Sequence, residues 1–164
     1  RSDDVMNVAG HRIGSSEIEN TVIQITGIFE SCAVAIPDET MGSSIALFYS
    51  ASSDIDEAIF RSKISEVLSE YHQPQYIFKF NSLPKTKSGK IMRRVMRSLA
   101  ADGFLDPDSD YSTFINRDDF IKDCSGFLDF WIKRNIGSKT QMLFDLDKFC
   151  SEMQIESTNY IILK

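Results

Sequence analysis

The sequence predicts an α+β layer fold. It combines a small, mainly antiparallel central sheet of about three strands, an N-terminal two-stranded hairpin, flanking helices and a helical C-terminal extension. Three observations carry that expectation. Apolar runs of strand length recur between turn residues, stretches with helical spacing are interspersed among them, and no βαβ series is evident.

Taken in order, Val5 to Val8 and His11 to Ile13 are short extended pieces around Gly10, so the chain opens on a hairpin. Ser16 and Glu19 stand three apart, as in a capping box, and predict a helix reaching about Gln24. Ala33 to Pro37 and Ser44 to Tyr49 read as buried strands flanking a turn at Asp38 to Gly42. The stretch from Ile55 to Glu70 has helical spacing through Ile55, Ile59, Ile64 and Leu68, and Pro74 ends that region. Tyr76 to Phe80 alternates as a third strand. After it, a basic loop leads into a helix carrying Ile91, Val95, Met96 and Leu99.

Gly103 to Ser109, with Pro107 and several aspartates, predicts a linker that divides a domain over 1–102 from a mostly helical extension over 103–164. In the extension, Phe120, Ile121, Cys124, Phe127, Leu128, Trp131 and Ile132 fall on one helical stripe that Gly137 terminates. A second stripe runs through Leu143, Leu146, Phe149, Cys150 and Met153. Such aromatic stripes are chiefly core surface; a protein partner or dimer contact through these helices is the second reading.

Composition narrows the function classes. A chain of 164 residues with 42% hydrophobic content can enclose one real core but not a second large domain. The net charge of −6 is uneven: eleven basic and twelve acidic residues stand up to Arg97, against seven basic and twelve acidic after it. That acidity argues against nucleic-acid binding, despite the run Lys85, Lys87, Lys90, Arg93, Arg94, Arg97 with no acid between Ser82 and Ala101. Three cysteines without metal-type spacing fit a reduced, cytoplasmic setting, and no stretch has membrane-spanning length. The chain opens on Arg1 rather than methionine, which is expected of a piece of a longer polypeptide.

The most informative motif is PKTKSGKIMRR, Pro84 to Arg94. Gly89 frees the backbone to take a positive φ, Ser88 can bond locally, and Lys90 follows as a compact point charge on a long stem. Such a mobile loop can deliver one ammonium to a phosphate. Upstream stands a second run, RSDDVMNVAGHRIGSSEIEN, from Arg1 to Asn20. Together the two runs resemble the small C-terminal domain of an AMP-forming acyl-CoA synthetase in the adenylate-forming ligase superfamily. The Gly10-His11-Arg12 triplet, followed by Gly14, Ser15 and Glu17, resembles the acetyl- and propionyl-CoA synthetase type. The resemblance covers roughly the first hundred residues. A weaker echo lies in DYSTFINRDDFIKD, Asp110 to Asp123.

That resemblance implies an enzyme that joins a small carboxylic acid to ATP, giving an acyl-adenylate, and then to coenzyme A, with Mg2+ bound mainly by a separate N-terminal adenylation domain. It implies Lys90 as the catalytic adenylation lysine and a regulatory acetylation target, Asp3 as the hinge, Arg1 and Arg12 as nucleotide-binding residues, and Ala9 and Gly10 as the place where the pantetheine arm of coenzyme A passes the backbone. A lysine on the developing phosphoryl charge is worth about 2–4 kcal/mol of transition-state stabilisation in a water-poor site. The isolated chain is expected to have no turnover.

Two departures limit the carry-over. The short-chain enzymes resembled have a histidine in a metal-associated segment after the first helix, where this chain has Ile25, so no metal ligand is assigned. An arginine that grips coenzyme A phosphate there aligns near Ser65, with Arg61 and Lys63 close by. The alternatives are therefore a ligase that passes an amino or aryl acid to a carrier-protein thiol and, of another class, a non-catalytic interaction module. His11 and His72 are expected to be structural.

Overall fold

The computed structural model describes residues 5–102, 114–116, 118–120, 122–124 and 126–127. The second extension stripe, with Ile121, Leu128, Trp131 and Ile132 of the first, lies outside them, as do Arg1, Asp3 and the 103–109 linker. The elements run β1 (Val5–Val8), β2 (His11–Gly14), α1 (Ser15–Val22), β3 (Ile28–Asp38), β4 (Gly42–Ala51), α2 (Glu57–Val67), β5 (Tyr76–Phe80) and α3 (Arg93–Asp102). A one-turn 3-10 helix, Glu70–His72, precedes β5.

The mixed α+β character and the mainly antiparallel sheet are as expected, with one parallel neighbour. The order of the main sheet is β3-β4-β5, with β3 and β4 antiparallel and β5 parallel to β4. A parallel neighbour requires a crossover, and α2 supplies it, so β4-α2-β5 is one βαβ unit that the sequence pattern did not reveal. The β3–β4 turn forms where Asp38, Gly42 and the residues between them stand; Asp38 Oδ1 accepts from Thr40 N–H and Met41 N–H, both 2.9 Å, and Gly42 takes φ +74°.

Both faces of the β3–β4 pair are apolar. Cys32, Val34, Ile36, Ala46 and Phe48 point one way, into a core with Phe80, Leu83, Val95, Met96 and Leu99. Ala33, Ile45, Leu47 and Tyr49 point the other way, against Met6, Val8, Ile13, Ile18, Val22, Phe60 and Ile64. Hence the β1–β2 hairpin, α1 and α2 cover one face, and α3 covers the other.

Phe114, Phe120, Cys124 and Phe127 belong to the α3 side. Phe120, Cys124 and Phe127 of the first predicted stripe are buried in the same core as Val95. Phe120 stacks on Phe80 with centroids 5.5 Å apart, and Phe127 meets Phe48 edge-on at 5.5 Å. Asp123 fixes the approach by accepting Asn81 N–H at 2.7 Å. Burial, and secondarily the neighbouring Asp123 charge, push the Cys124 thiol well above its ordinary pKa, so it packs as a neutral, inert group.

Two helical expectations change in detail. The predicted capping box does not form: α1 starts behind Gly14 without a side-chain cap, and Glu19 is drawn to β3 instead. In α2, capped by Asp56 Oδ1 on Ala58 N–H (2.9 Å), the buried residues are Phe60 and Ile64, while Ile59 of the predicted stripe is 48% exposed. The helix begins two residues later than expected, and its buried face follows the i, i+4 pair Phe60 and Ile64, one position round from Ile59.

Phe120→Ala should lower the unfolding free energy by about 3–5 kcal/mol in urea denaturation, the usual cost of an emptied aromatic core site. A loss under about 1 kcal/mol would show that Phe120 does not share the core.

Candidate functional site

Lys90 sits at the exposed end of a short hairpin built from residues 84–92. Met92 N–H donates to the Pro84 carbonyl (2.8 Å), Lys85 and Ile91 bridge antiparallel, and Thr86 N–H donates to the Lys90 carbonyl (2.9 Å). Gly89, at φ +78°, closes the turn and donates to the Thr86 carbonyl (2.8 Å). Thr86 Oγ1 accepts from Lys90 N–H (3.2 Å) and lies 2.9 Å from Ser88 Oγ. The backbone of the turn is thus held by its own hydrogen bonds. The Lys90 side chain itself is exposed and has no ion-pair partner among the described residues.

Its basic neighbours have other roles. The Lys85 amine pairs with Glu30, whose other oxygen accepts Leu83 N–H (3.3 Å), and the Arg93 guanidinium pairs with Glu19. The segment 114–116 straps this region. Asn116 accepts Lys85 N–H (3.1 Å) and donates to the Leu83 carbonyl (2.8 Å), and Thr86 bridges Phe114. Of the predicted basic run, Lys85 and Arg93 therefore build the base of the loop, while Lys87 and Lys90 remain exposed at its end.

Glu19 joins three elements. Its Oε1 accepts Ala33 N–H (2.8 Å) on the open edge of β3, its backbone carbonyl accepts the Ser31 hydroxyl (3.1 Å), and its Oε2 holds Arg93 of α3. The carboxylate is only 11% exposed, so a charged partner and backbone donors together offset its desolvation.

The second predicted surface lies on the other layer. Ala9 and Gly10 form the two-residue turn of the β1–β2 hairpin, with Val8 opposite His11 and φ of +50° and +84°. Among the described residues Ala9 is the one non-glycine residue at positive φ, a strain of roughly 1–2 kcal/mol. A Cβ on Gly10 would meet nothing within 4 Å, so its glycine serves the φ and an open approach rather than packing. Arg12 is exposed on β2, opposite Asn7. His11 stacks on Tyr71 with centroids 3.8 Å apart.

The residues named as substitutes for a missing coenzyme A arginine are already engaged. Arg61 bonds Glu57 and donates to the Pro74 carbonyl (3.1 Å), and Lys63 pairs with Glu66 at 3.4 Å. Ile25 and Lys63 share an open groove with Gln24, Ile59 and Glu66. Among the described residues no three His, Cys, Asp or Glu side chains converge as a metal site, and no helix is long and apolar enough to cross a membrane. The structure thus displays Lys90, Arg12, Ala9 and Gly10 in accessible positions. Sequence reasoning missed Tyr71 and Glu30 and gave Glu19 a capping role, because all three act through partners distant in the chain.

Comparison with known proteins points one way. The family described as AMP-binding enzyme C-terminal domain matches residues 17–90. The acetyl-coenzyme A synthetase of Deinococcus radiodurans is 39% identical over 103 residues, 62% of this chain and 16% of that protein. The acetyl-coenzyme A synthetase of Mycobacterium tuberculosis is 36% identical over 121 residues, 71% of this chain and 18% of that protein. The chain therefore spans less than a fifth of the length of these relatives. A Mycobacterium tuberculosis fatty acyl CoA synthetase has the same fold, with a TM-score of 0.59 and 24% identity over 63% of this chain and 21% of that one.

Replacing Glu19 with alanine should cost about 2–4 kcal/mol of stability by urea or thermal unfolding, because Arg93 and the Ala33 amide lose a buried acceptor. Glu19→Gln, which keeps an oxygen for the amide, should lose less.

Proposed function

We propose that the chain, whose residues 17–90 match the family described as AMP-binding enzyme C-terminal domain, is the swinging domain of an AMP-forming acyl-CoA synthetase. The intact enzyme would be an acid–thiol ligase that activates a small carboxylic acid with ATP and passes the acyl group to coenzyme A. One observation carries this reading: Lys90, exposed and without an ion-pair partner among the described residues, stands at the end of a loop whose backbone is otherwise tied down.

ATP supplies the adenylyl group and coenzyme A the thiol. The N-terminal adenylation domain, the partner against which this domain works, holds the acid pocket and most of the Mg2+ and nucleotide contacts. In the first half-reaction a carboxylate oxygen attacks the α-phosphorus and pyrophosphate leaves. Charge gathers on the phosphoryl and carboxylate oxygens, where the Lys90 ammonium lies between them and offsets it. Arg12, with Arg1, takes the ribose and phosphate, a task that suits a rigid guanidinium fork. In the second half-reaction the thiol sulfur attacks the acyl carbon and AMP departs. The Ala9-Gly10 turn then offers a backbone edge to the pantetheine arm, with the φ of +84° at Gly10 and the open space around it in support. Asp3 is the hinge by which the domain exchanges one surface for the other.

The buried positions of Cys32 and Cys124 suit a reducing, cytoplasmic setting.

In the intact enzyme, Lys90→Ala should slow adenylate formation about a hundred- to a thousand-fold in a pyrophosphate-exchange assay. Thioester formation from a supplied acyl-adenylate should stay within a few-fold of wild type. Unchanged exchange activity would remove Lys90 from the chemistry.

A further inference from the structure

The Ala9-Gly10 turn is held from the side by a contact remote in sequence. Tyr71 lies in the one-turn helix Glu70–His72 and stacks on His11, centroids 3.8 Å apart and planes inclined by 22°. Neither ring belongs to either apolar core, and Tyr71 remains 38% exposed. Core packing therefore does not account for the pair.

We infer that Tyr71 is a positioning residue for the thioester half-reaction: by stacking on His11 it holds the Ala9-Gly10 turn in the left-handed geometry past which the coenzyme A arm runs. This rests on the reading of that turn given above. His11 is the residue that closes the turn, paired with Val8, so whatever fixes its ring fixes the end of the hairpin. The turn needs such support because Ala9 has a Cβ and still sits at φ +50°. Its amide is tied on one flank, donating to the Met41 carbonyl at 3.0 Å. Tyr71 supplies the other flank. Without it, Ala9 can relax toward an ordinary φ, which turns the peptide edge away.

Tyr71 is itself braced. Ser69 Oγ lies 2.8 Å from His72 Nδ1, and His72 Nε2 lies 3.1 Å from Glu17 Oε2 at the start of α1. Gln73 Nε2 donates to the Arg61 carbonyl (3.0 Å) and bonds Ser65 Oγ (2.8 Å). These contacts tie the segment 69–73 to α1 and α2, so the ring is presented from a fixed base.

The test uses the intact enzyme with Tyr71→Ala, Tyr71→Phe and His11→Ala, measuring pyrophosphate exchange and coenzyme A-dependent thioester formation separately. Tyr71→Ala is expected to raise the KM for coenzyme A about tenfold and leave exchange within twofold. Tyr71→Phe should restore the wild-type KM, because stacking needs the ring and not the hydroxyl. Adding His11→Ala to Tyr71→Ala should cause little further loss, as expected of one shared contact. The inference is overturned if Tyr71→Ala leaves the coenzyme A KM unchanged, if it weakens both half-reactions equally, or if phenylalanine fails to rescue it. A wild-type enzyme that forms adenylate but no coenzyme A thioester overturns it while leaving adenylation standing. One that forms neither removes the underlying reading, and this inference falls with it.

Discussion

Burial of both faces of the β3–β4 pair is the constraint on which the rest of the structure depends. An antiparallel pair commonly keeps one wet face. Here Cys32, Val34 and Ile36 alternate with Ala33 on one strand, and Ala46 and Phe48 with Ile45, Leu47 and Tyr49 on the other, so apolar surface points both ways. Each face needs its own cover. The hairpin, α1 and α2 close one side, while α3 with Phe120, Cys124 and Phe127 closes the other. Each cover layer brings one of the two candidate surfaces with it. Two chemically different loops are thereby carried by opposite layers of one small sheet, an arrangement suited to a domain that shows one face at a time.

Glu19 joins those layers around the edge of the sheet. The outer edge of β3 would otherwise present unpaired amides to solvent or to another chain. Glu19 Oε1 satisfies the Ala33 amide, and Oε2 reaches Arg93 at the start of α3. The helix that follows the Ala9-Gly10 hairpin and the helix that follows the Lys90 loop are thus bound through one carboxylate, so the layers behave as one body. Lys85 and Glu30 make a second such link from the same strand to the base of the Lys90 loop.

Much of this was legible in the sequence wherever local chemistry decides. The bounds of β1 and β5, the Asp38–Gly42 turn and the glycine at the Lys90 loop follow from period-2 alternation and from residues that tolerate positive φ. The order of the strands was not legible, because the parallel pairing of β5 depends on where α2 crosses and no residue of Tyr76–Phe80 encodes its neighbour. Ser16 and Glu19 had the spacing of a cap, yet Glu19 gains more from a backbone amide and a guanidinium than from the first turn of α1. Lys90 and Gly10 could be found by motif because each stands in or beside a glycine turn of its own local sequence. Tyr71 could not, since its partner His11 is 60 positions away and becomes a neighbour only after folding.

Both tips share a construction that bears on how such a domain can work. At Gly89 and at Ala9-Gly10 the chain turns through positive φ, and the nearby amides of Gly89, Lys90 and Ala9 already have acceptors. A tip of that kind gains little by rearranging, because any other conformation would break hydrogen bonds or strain the turn again. Lys90 and the hairpin turn therefore do not exchange places by local refolding. With the layers bound through Glu19 and the tips held by their own backbones, the freedom left is movement of the whole body about a segment outside it. Under the proposed function, that makes the two half-reactions alternatives set by orientation rather than by loop order.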